Sequence, residues 1–362
     1  MVHALGVVLT GDICPTRGLV ADAADVKQTF RLIENADFAL GNFEMPLTDQ
    51  VRAVEKLLNI KADPSIAPTL SELGLDMVTV ANNHAVDYGW EGLSQTIDLL
   101  RSQGLTVIGA GSNIAEATAP AIATVAGRQI GVLAYSCLLP TGMSAGINRP
   151  GIAPIHVQTS YEIDPYYQME EPGDLSAVRA RTQARETDVE AAVAAIRALR
   201  NKCDTLIVTI HWGFGSGEEL AEYQLPLAQR LIDAGADIIH GHHPHAVHPI
   251  GFYRGKPIFF GLGTLVGQQV FLDAPPAVRA LWAEMSPDGY VATISISQSN
   301  VLGIELTPTT LNSDRLPLIA KDNDFDRIHH RLVSLSAPYG ANIELDGTVL
   351  RASAAALDCQ RN

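Results

Sequence analysis

Short apolar runs alternate with longer amphipathic stretches along most of this chain. Residues 5–9, 37–40, 77–80, 106–108, 121–125, 130–135, 205–210, 236–239 and 257–260 are blocks of the length and composition of buried strands. Between two of these blocks, Ala126-Gly127-Arg128-Gln129 reads as a turn. Helical spacing appears over 89–102, with Leu93, Ile97 and Leu100 on one face and Gly104 as the stop. It recurs over 187–200 through Val189, Val193, Ile196 and Leu199. A third helix is predicted over 226–234, with Pro226 in its first turn and Gly235 beyond its end. Strands alternating with helices predict an α/β fold with a parallel or mixed core. Residues 139–185 break the pattern with Pro140, Pro150, Pro154, Pro165 and Pro172 and with Tyr161, Tyr166 and Tyr167. They read as a long inserted loop, of the kind that serves as a lid or binding segment. Residues 1–307 read as one domain, and 308–362 as a C-terminal extension packed on it.

The ends of the apolar runs carry the candidate chemistry. Asp12 follows the first, Asn42 and Glu44 the second, Asn83 and His84 the third. His211 follows the 205–210 run, and five of the 11 histidines fall within 240–248, after the 236–239 run. In open α/β sheets, sites form at the carboxyl ends of strands. Carboxylates, an amide oxygen and imidazoles make a mixed N/O donor set. That set suits Mn, Fe, Zn, Ni or Co better than Ca or Mg. A carboxylate between two histidine-containing sets can bridge two ions, which together acidify a water and stabilise a charged transition state. If the cluster is extended, His243 and His245 point to one side as ligands and His242 points away. His240 and His248 read as supports for ligating rings. Asp87 either orients His84 or caps the following helix. Four further residues are candidates for substrate contact. Arg17 offers a guanidinium fork for a carboxylate or phosphate. Asn42 and Trp212 lie beside ligand positions, and Arg149 belongs to the insert.

Composition narrows the function classes. The chain has 362 residues, 47% of them hydrophobic, which suits one large or two smaller domains. Its 25 basic and 40 acidic residues give a net charge of −15, against nucleic-acid binding driven by phosphate contacts. Cys14, Cys137, Cys203 and Cys359 are scattered and read as reduced thiols, mostly buried. The N-terminus reads as a first core strand rather than a signal peptide. No apolar run is long enough for a transmembrane helix. A cytoplasmic location without a membrane anchor is the expectation. The sequence carries no sign of oligomeric state.

Several segments together resemble a known family. They are Gly11-Asp12-Ile13-Cys14-Pro15-Thr16-Arg17, Gly41-Asn42-Phe43-Glu44, Asn82-Asn83-His84 with Asp87 and Gly89, His211-Trp212-Gly213, and Gly241-His242-His243-Pro244-His245. Gly255-Lys256-Pro257-Ile258-Phe259-Phe260-Gly261-Leu262-Gly263 closes the series. Their order resembles the CapA (poly-γ-glutamate capsule synthesis) family of the calcineurin-like metallophosphoesterase superfamily, over about residues 5–270. The resemblance implies a four-layer α/β/β/α sandwich and two divalent ions, Mn, Zn, Fe or Ca. It implies Asp12, Glu44 and His245 on one ion. Glu44, Asn83, His211 and His243 would hold the other, with Glu44 bridging and His84 as acid/base. The chain departs from the pattern in three ways. Cys14 stands where the wider superfamily has histidine. Leu262-Gly263-Thr264-Leu265 replaces the usual Leu-Gly-Asn-Phe. The membrane anchor usual in the capsule protein is expected to be absent.

The function expected is metal-dependent hydrolysis of an amide, γ-glutamyl or peptide-like bond in a small molecule or polymer. A metal-activated water attacks and His84 protonates the leaving group. Three alternatives carry different signatures. They are a phosphoesterase, a peptide epimerase using Asp12 and a cluster histidine such as His245 as acid and base, and a non-catalytic capsule-assembly protein.

Overall fold

The apolar runs become the strands of two sheets that face each other in this computed structural model. It describes residues 4–19, 24–215, 217–347 and 349–355. Cys359 therefore lies outside the described residues. The larger sheet runs, edge to edge, through Ala341–Asp346, Val349–Ala354, Asn300–Leu311, Asp288–Ser297, Leu5–Cys14, Phe38–Phe43, Met77–Thr79 and Thr106–Ile108. Leu5–Cys14 and the three strands after it in that order are mutually parallel, and the rest of the row is antiparallel. The smaller sheet runs through Ile250–Tyr253, Lys256–Phe259, Ile238–His242, Thr205–His211, Arg128–Ser136 and Ala121–Val125. Its four inner strands are parallel.

Burial on alternate faces sets the layers. Val7, Leu9, Phe38 and Leu40 of the larger sheet pack against Ile130, Val132, Ile207 and Ile238 of the smaller one. The opposite face of the larger sheet, through Val8, Ala39 and Val78, meets helices Ala24–Glu34 and Gly89–Ser102. The opposite face of the smaller sheet, through Leu206, Val208 and Ile239, meets helices Glu186–Arg200 and Gln224–Ala234. The result is the expected four-layer α/β/β/α sandwich. Among the described residues, no helix is long and apolar enough to cross a membrane.

Three expectations need correction, and one hairpin was not expected. The predicted strand ends fall short at the chemistry: Asp12, Asn42, His211, His240 and His242 lie within strands rather than after them. Polar residues at those positions hid the strands' last turns of pleat. Arg128 begins a strand, because Ala126 and Gly127 form the whole turn with φ of 47° and 78°. Two positive φ values are what a two-residue hairpin turn of matching twist requires. The 139–185 insert is not a structureless loop. It holds an antiparallel hairpin, Val157–Ile163 with Val178–Ala184, tipped by helix Pro165–Glu170. Lastly, the hairpin of Asp288–Ser297 and Asn300–Leu311 was not legible. It carries residues 308–311 into the large sheet, where Val349–Ala354 pairs on it.

Candidate metal centre

Strand register assembles the site. In the larger sheet Asp12 lies beside Asn42, and Asn42 beside Thr79. In the smaller sheet His211 lies beside His242. The carboxyl ends of both parallel cores thus meet across the sandwich. Gly241 lets Trp212 pack close on the outer face of the smaller sheet: a Cβ there would collide with Trp212 Nε1 and with the carbonyl oxygen of Phe259. At His243 the strand has ended and the backbone turns to φ 102°, a strained value for a non-glycine residue. That turn, rather than extended alternation, brings His243 to Asp12, whose Oδ2 accepts its backbone N–H at 3.2 Å.

Two groups of potential ligand atoms share Glu44. Asp12, Glu44 and His245 form one, and Glu44, His211 and His243 the other, each with its atoms within 4.8 Å of one another. Asn83 Oδ1 lies 2.9 Å from His211 Nε2. A third combination, Asp12 with His211 and His242, is also close. There, however, the Nδ1 atoms of the two histidines are only 2.8 Å apart and are engaged with each other.

A buried relay decides which nitrogen of His211 is free. His240 Nε2 lies 2.9 Å from the carbonyl oxygen of Thr10, which can only accept. Burial depresses the His240 pKa to about 4, so the ring is neutral and its Nδ1 must accept. Thr209 Oγ1, at 3.1 Å, donates to it and so must accept from His242 Nε2 at 3.0 Å. His242 Nδ1 then accepts from His211 Nδ1. His211 Nε2 is left as a bare lone pair. It faces Asn83 Oδ1 at 2.9 Å and Glu44 Oε1 at 3.3 Å. Glu44 Oε1 and His243 Nδ1 are buried without any hydrogen-bond partner. Converging acceptors with nothing to accept are a cation's coordination set.

The electrostatics agree. Burial, then repulsion from Glu44, raises the Asp12 pKa from 3.8 to about 8. Burial raises Glu44 as well. Burial first, and neighbouring imidazoles second, push His211, His242 and His243 well down. Two buried carboxylates and neutral imidazoles lack the positive charge that divalent cations would bring. The residues present therefore fit a metal.

Supporting contacts hold this set. Asn42 is fully buried and donates to Asp12 Oδ1 at 2.7 Å, with Glu44 Oε2 at 3.4 Å. Asn82 in turn donates to Asn42 Oδ1 and to the carbonyl oxygen of Phe43. Thr264 Oγ1 lies 3.1 Å from His245 Nδ1, so the residue that departs from the family pattern orients this imidazole. The Cys14 thiol lies at the cavity, with its pKa raised by burial and by Glu44 and Asp12, so it stays protonated. His84 Nδ1 pairs with Asp87 at 2.7 Å, and Lys56 donates to the other Asp87 oxygen at 2.6 Å. A cavity of about 560 Å³ opens onto Glu44, Asn83, His84, His243 and His245.

The expected substrate contacts fare differently. Asn42 lies beneath the carboxylates, where it orients them and reaches no substrate. Trp212 is a fully buried core residue that donates to the Phe260 carbonyl oxygen at 3.0 Å and stacks on its ring. Arg17 is stacked on Phe271 at 4.0 Å, and Arg149 is bound to the Ser144 carbonyl oxygen at 2.8 Å. Neither arginine lines the cavity. His242 does not point away, since it supports His211. His248 bonds the Gly217 carbonyl oxygen at 3.1 Å. Lys56, Thr209 and Thr264 were missed. Lys56 comes from an irregular segment, and Thr209 reads as an ordinary β-branched strand residue.

The chain is similar to several known proteins. A relative in Mycobacterium tuberculosis, named "Probable polyglutamine synthesis accessory protein", is 27% identical over 87% of this chain and 77% of its own. The PGA biosynthesis protein CapA of Bacillus subtilis is 29% identical over 65% of this chain and 54% of its own. Among solved structures, the NAD nucleotidase of Haemophilus influenzae aligns with a TM-score of 0.44 and 13% identity, over 92% of this chain and 63% of its own. Residues 6–269 match the family described as "Bacterial capsule synthesis protein PGA_cap", and the chain belongs to that family.

Proposed function

We propose that this protein is a metal-dependent hydrolase of an amide or peptide-like bond, built on two divalent ions that share Glu44. The observation that carries this reading is the convergence of His211 Nε2, Asn83 Oδ1 and Glu44 Oε1, with Glu44 Oε1 and His243 Nδ1 left without a hydrogen-bond partner. When bound, such ions acidify a water and draw charge from the reacting carbonyl or phosphoryl group. Asp12, Glu44 and His245 would hold one ion, and Glu44, Asn83, His211 and His243 the other. His84 faces the cavity while Asp87 fixes its Nδ1. Its Nε2 is therefore the atom that delivers a proton to the leaving group. Asn42 and Thr264 keep Asp12 and His245 in place. The relatives named for capsule and polyglutamine synthesis favour an amide-linked substrate over a phosphate ester.

The test is a screen of the Mn-loaded protein against peptide and γ-glutamyl p-nitroanilides, bis-p-nitrophenyl phosphate, and peptides in deuterated water. Metal-dependent amine release, lost in Asp12→Asn and His243→Ala, is the expected result. Turnover of the phosphate ester alone would make the protein a phosphoesterase. Deuterium uptake at unchanged covalent structure would make it an epimerase. No turnover with any probe would leave a non-catalytic role.

A further inference from the structure

The cavity above the metal centre has two unlike walls. On one side stand the polar groups already described. On the other, Leu57 and Leu281 form a rim that is 92% and 53% exposed. Beneath them Ile60 and Trp282 are buried, at 2% and 5% exposure, with Met285 packed beside them. Two large aliphatic side chains at the mouth of a site, continuous with an apolar floor, form a patch that water covers poorly. Pockets of this build take the apolar part of a ligand, while a few polar groups fix its reacting end.

The charges point the same way. Lys56 and Arg331 are the cationic side chains among the described residues lining the cavity. Lys56 is paired with Asp87 at 2.6 Å, and Arg331 with Glu218 at 2.7 Å. Glu218 and Glu284 also line the cavity, and the whole chain carries a net charge of −15. Away from the metal centre, a polyanionic chain entering here meets no unpaired Lys or Arg, and Glu218 and Glu284 repel it.

We propose that the substrate places an apolar side chain, of leucine or aromatic size, against Leu57 and Leu281 beside the reacting bond, and that the cavity selects against a polyanionic γ-glutamyl chain. This assignment rests on the metal-centre reading above. Hydroxamates test it, because each carries the same metal-binding head and reports binding without catalysis. The probes are N-acetylphenylalanine hydroxamate, N-acetylglutamate γ-hydroxamate and acetohydroxamate, titrated calorimetrically into the Mn-loaded full chain. The phenylalanine probe should bind about tenfold more tightly than acetohydroxamate, equivalent to about 1.4 kcal/mol. The glutamate probe should bind no better than acetohydroxamate. In the double variant Leu57→Asp, Leu281→Asp the phenylalanine advantage should vanish. Both positions are exposed, so the core stays closed. Equal binding of the phenylalanine and glutamate probes, or a preference that survives the double variant, overturns the apolar assignment and leaves the metal centre standing. Binding of none of the three overturns both.

Discussion

Thr209 is the joint of the relay that sets the His211 tautomer, and Thr209→Val removes it without changing its shape. The hydroxyl donates to His240 Nδ1 at 3.1 Å and accepts from His242 Nε2 at 3.0 Å. Valine leaves both ring nitrogens buried and unpaired. Each costs about 1–3 kcal/mol, so the fold should lose about 2–6 kcal/mol. Stability alone does not separate lost hydrogen bonds from lost tautomer control, but metal affinity does. With no acceptor at Nε2, His242 is free to carry its proton on Nδ1, which evicts the His211 proton to Nε2. That proton would point at Asn83 and Glu44, where the ion belongs. Removing the partner that orients a ligating histidine typically lowers metal affinity about 10–100-fold. Urea unfolding with chelator should give the first number, and calorimetric titration of Mn into the chelator-stripped protein the second. Thr209→Ser keeps the hydroxyl and should retain affinity. If Thr209→Val loses stability yet binds Mn as the parent does, the relay is packing alone and the tautomer argument fails.

Two further outcomes follow from the same geometry. Asp87→Asn removes the carboxylate on His84 Nδ1. General acid–base catalysis contributes roughly 10²–10⁴-fold, so kcat on the substrate found in the screen should fall about 10–100-fold with metal content unchanged. An unaltered kcat would remove His84 from the mechanism. The metal-free protein should also lose stability as pH rises from about 7.5 to 8.5. The folded state holds on to the Asp12 proton up to a pKa of about 8, whereas the unfolded chain releases it near 3.8. The depressed histidines act the other way, and their effect has faded by about pH 7.5, where the unfolded chain's imidazoles have released most of their protons. Thermal unfolding with chelator should therefore fall across this window, and the Mn-loaded protein should not follow it. Parallel curves for the two forms would contradict the buried-carboxylate account.

The site was legible because strand-end chemistry needs particular residue types. Asp12, Glu44, Asn83, His211, His243 and His245 each follow or close an apolar run, and the fold brings them together. Supports were less visible because their chemistry is generic. Nothing in the run Thr205–His211 marks Thr209 as a hydrogen-bonding joint rather than a β-branched filler. Lys56 lies in a stretch without periodicity, 31 residues before the Asp87 it pairs with. Polar residues misled in both directions. Arg17, Arg149 and Trp212 have groups suited to a substrate, yet stacking, a backbone carbonyl and the core claim them. Beyond the buried Asp288–Ala292, the hairpin of Asp288–Ser297 and Asn300–Leu311 is half-exposed on alternate residues over much of its length, so it lacks the continuous apolar run that announced the parallel strands.

Anomalous diffraction from Mn-soaked crystals would show whether two ions share Glu44. Two peaks should flank the Glu44 carboxylate, roughly 3.5–4 Å apart. Asp12 and His245 should lie at one peak, and Asn83, His211 and His243 at the other. A single peak, or peaks away from Glu44, would contradict it.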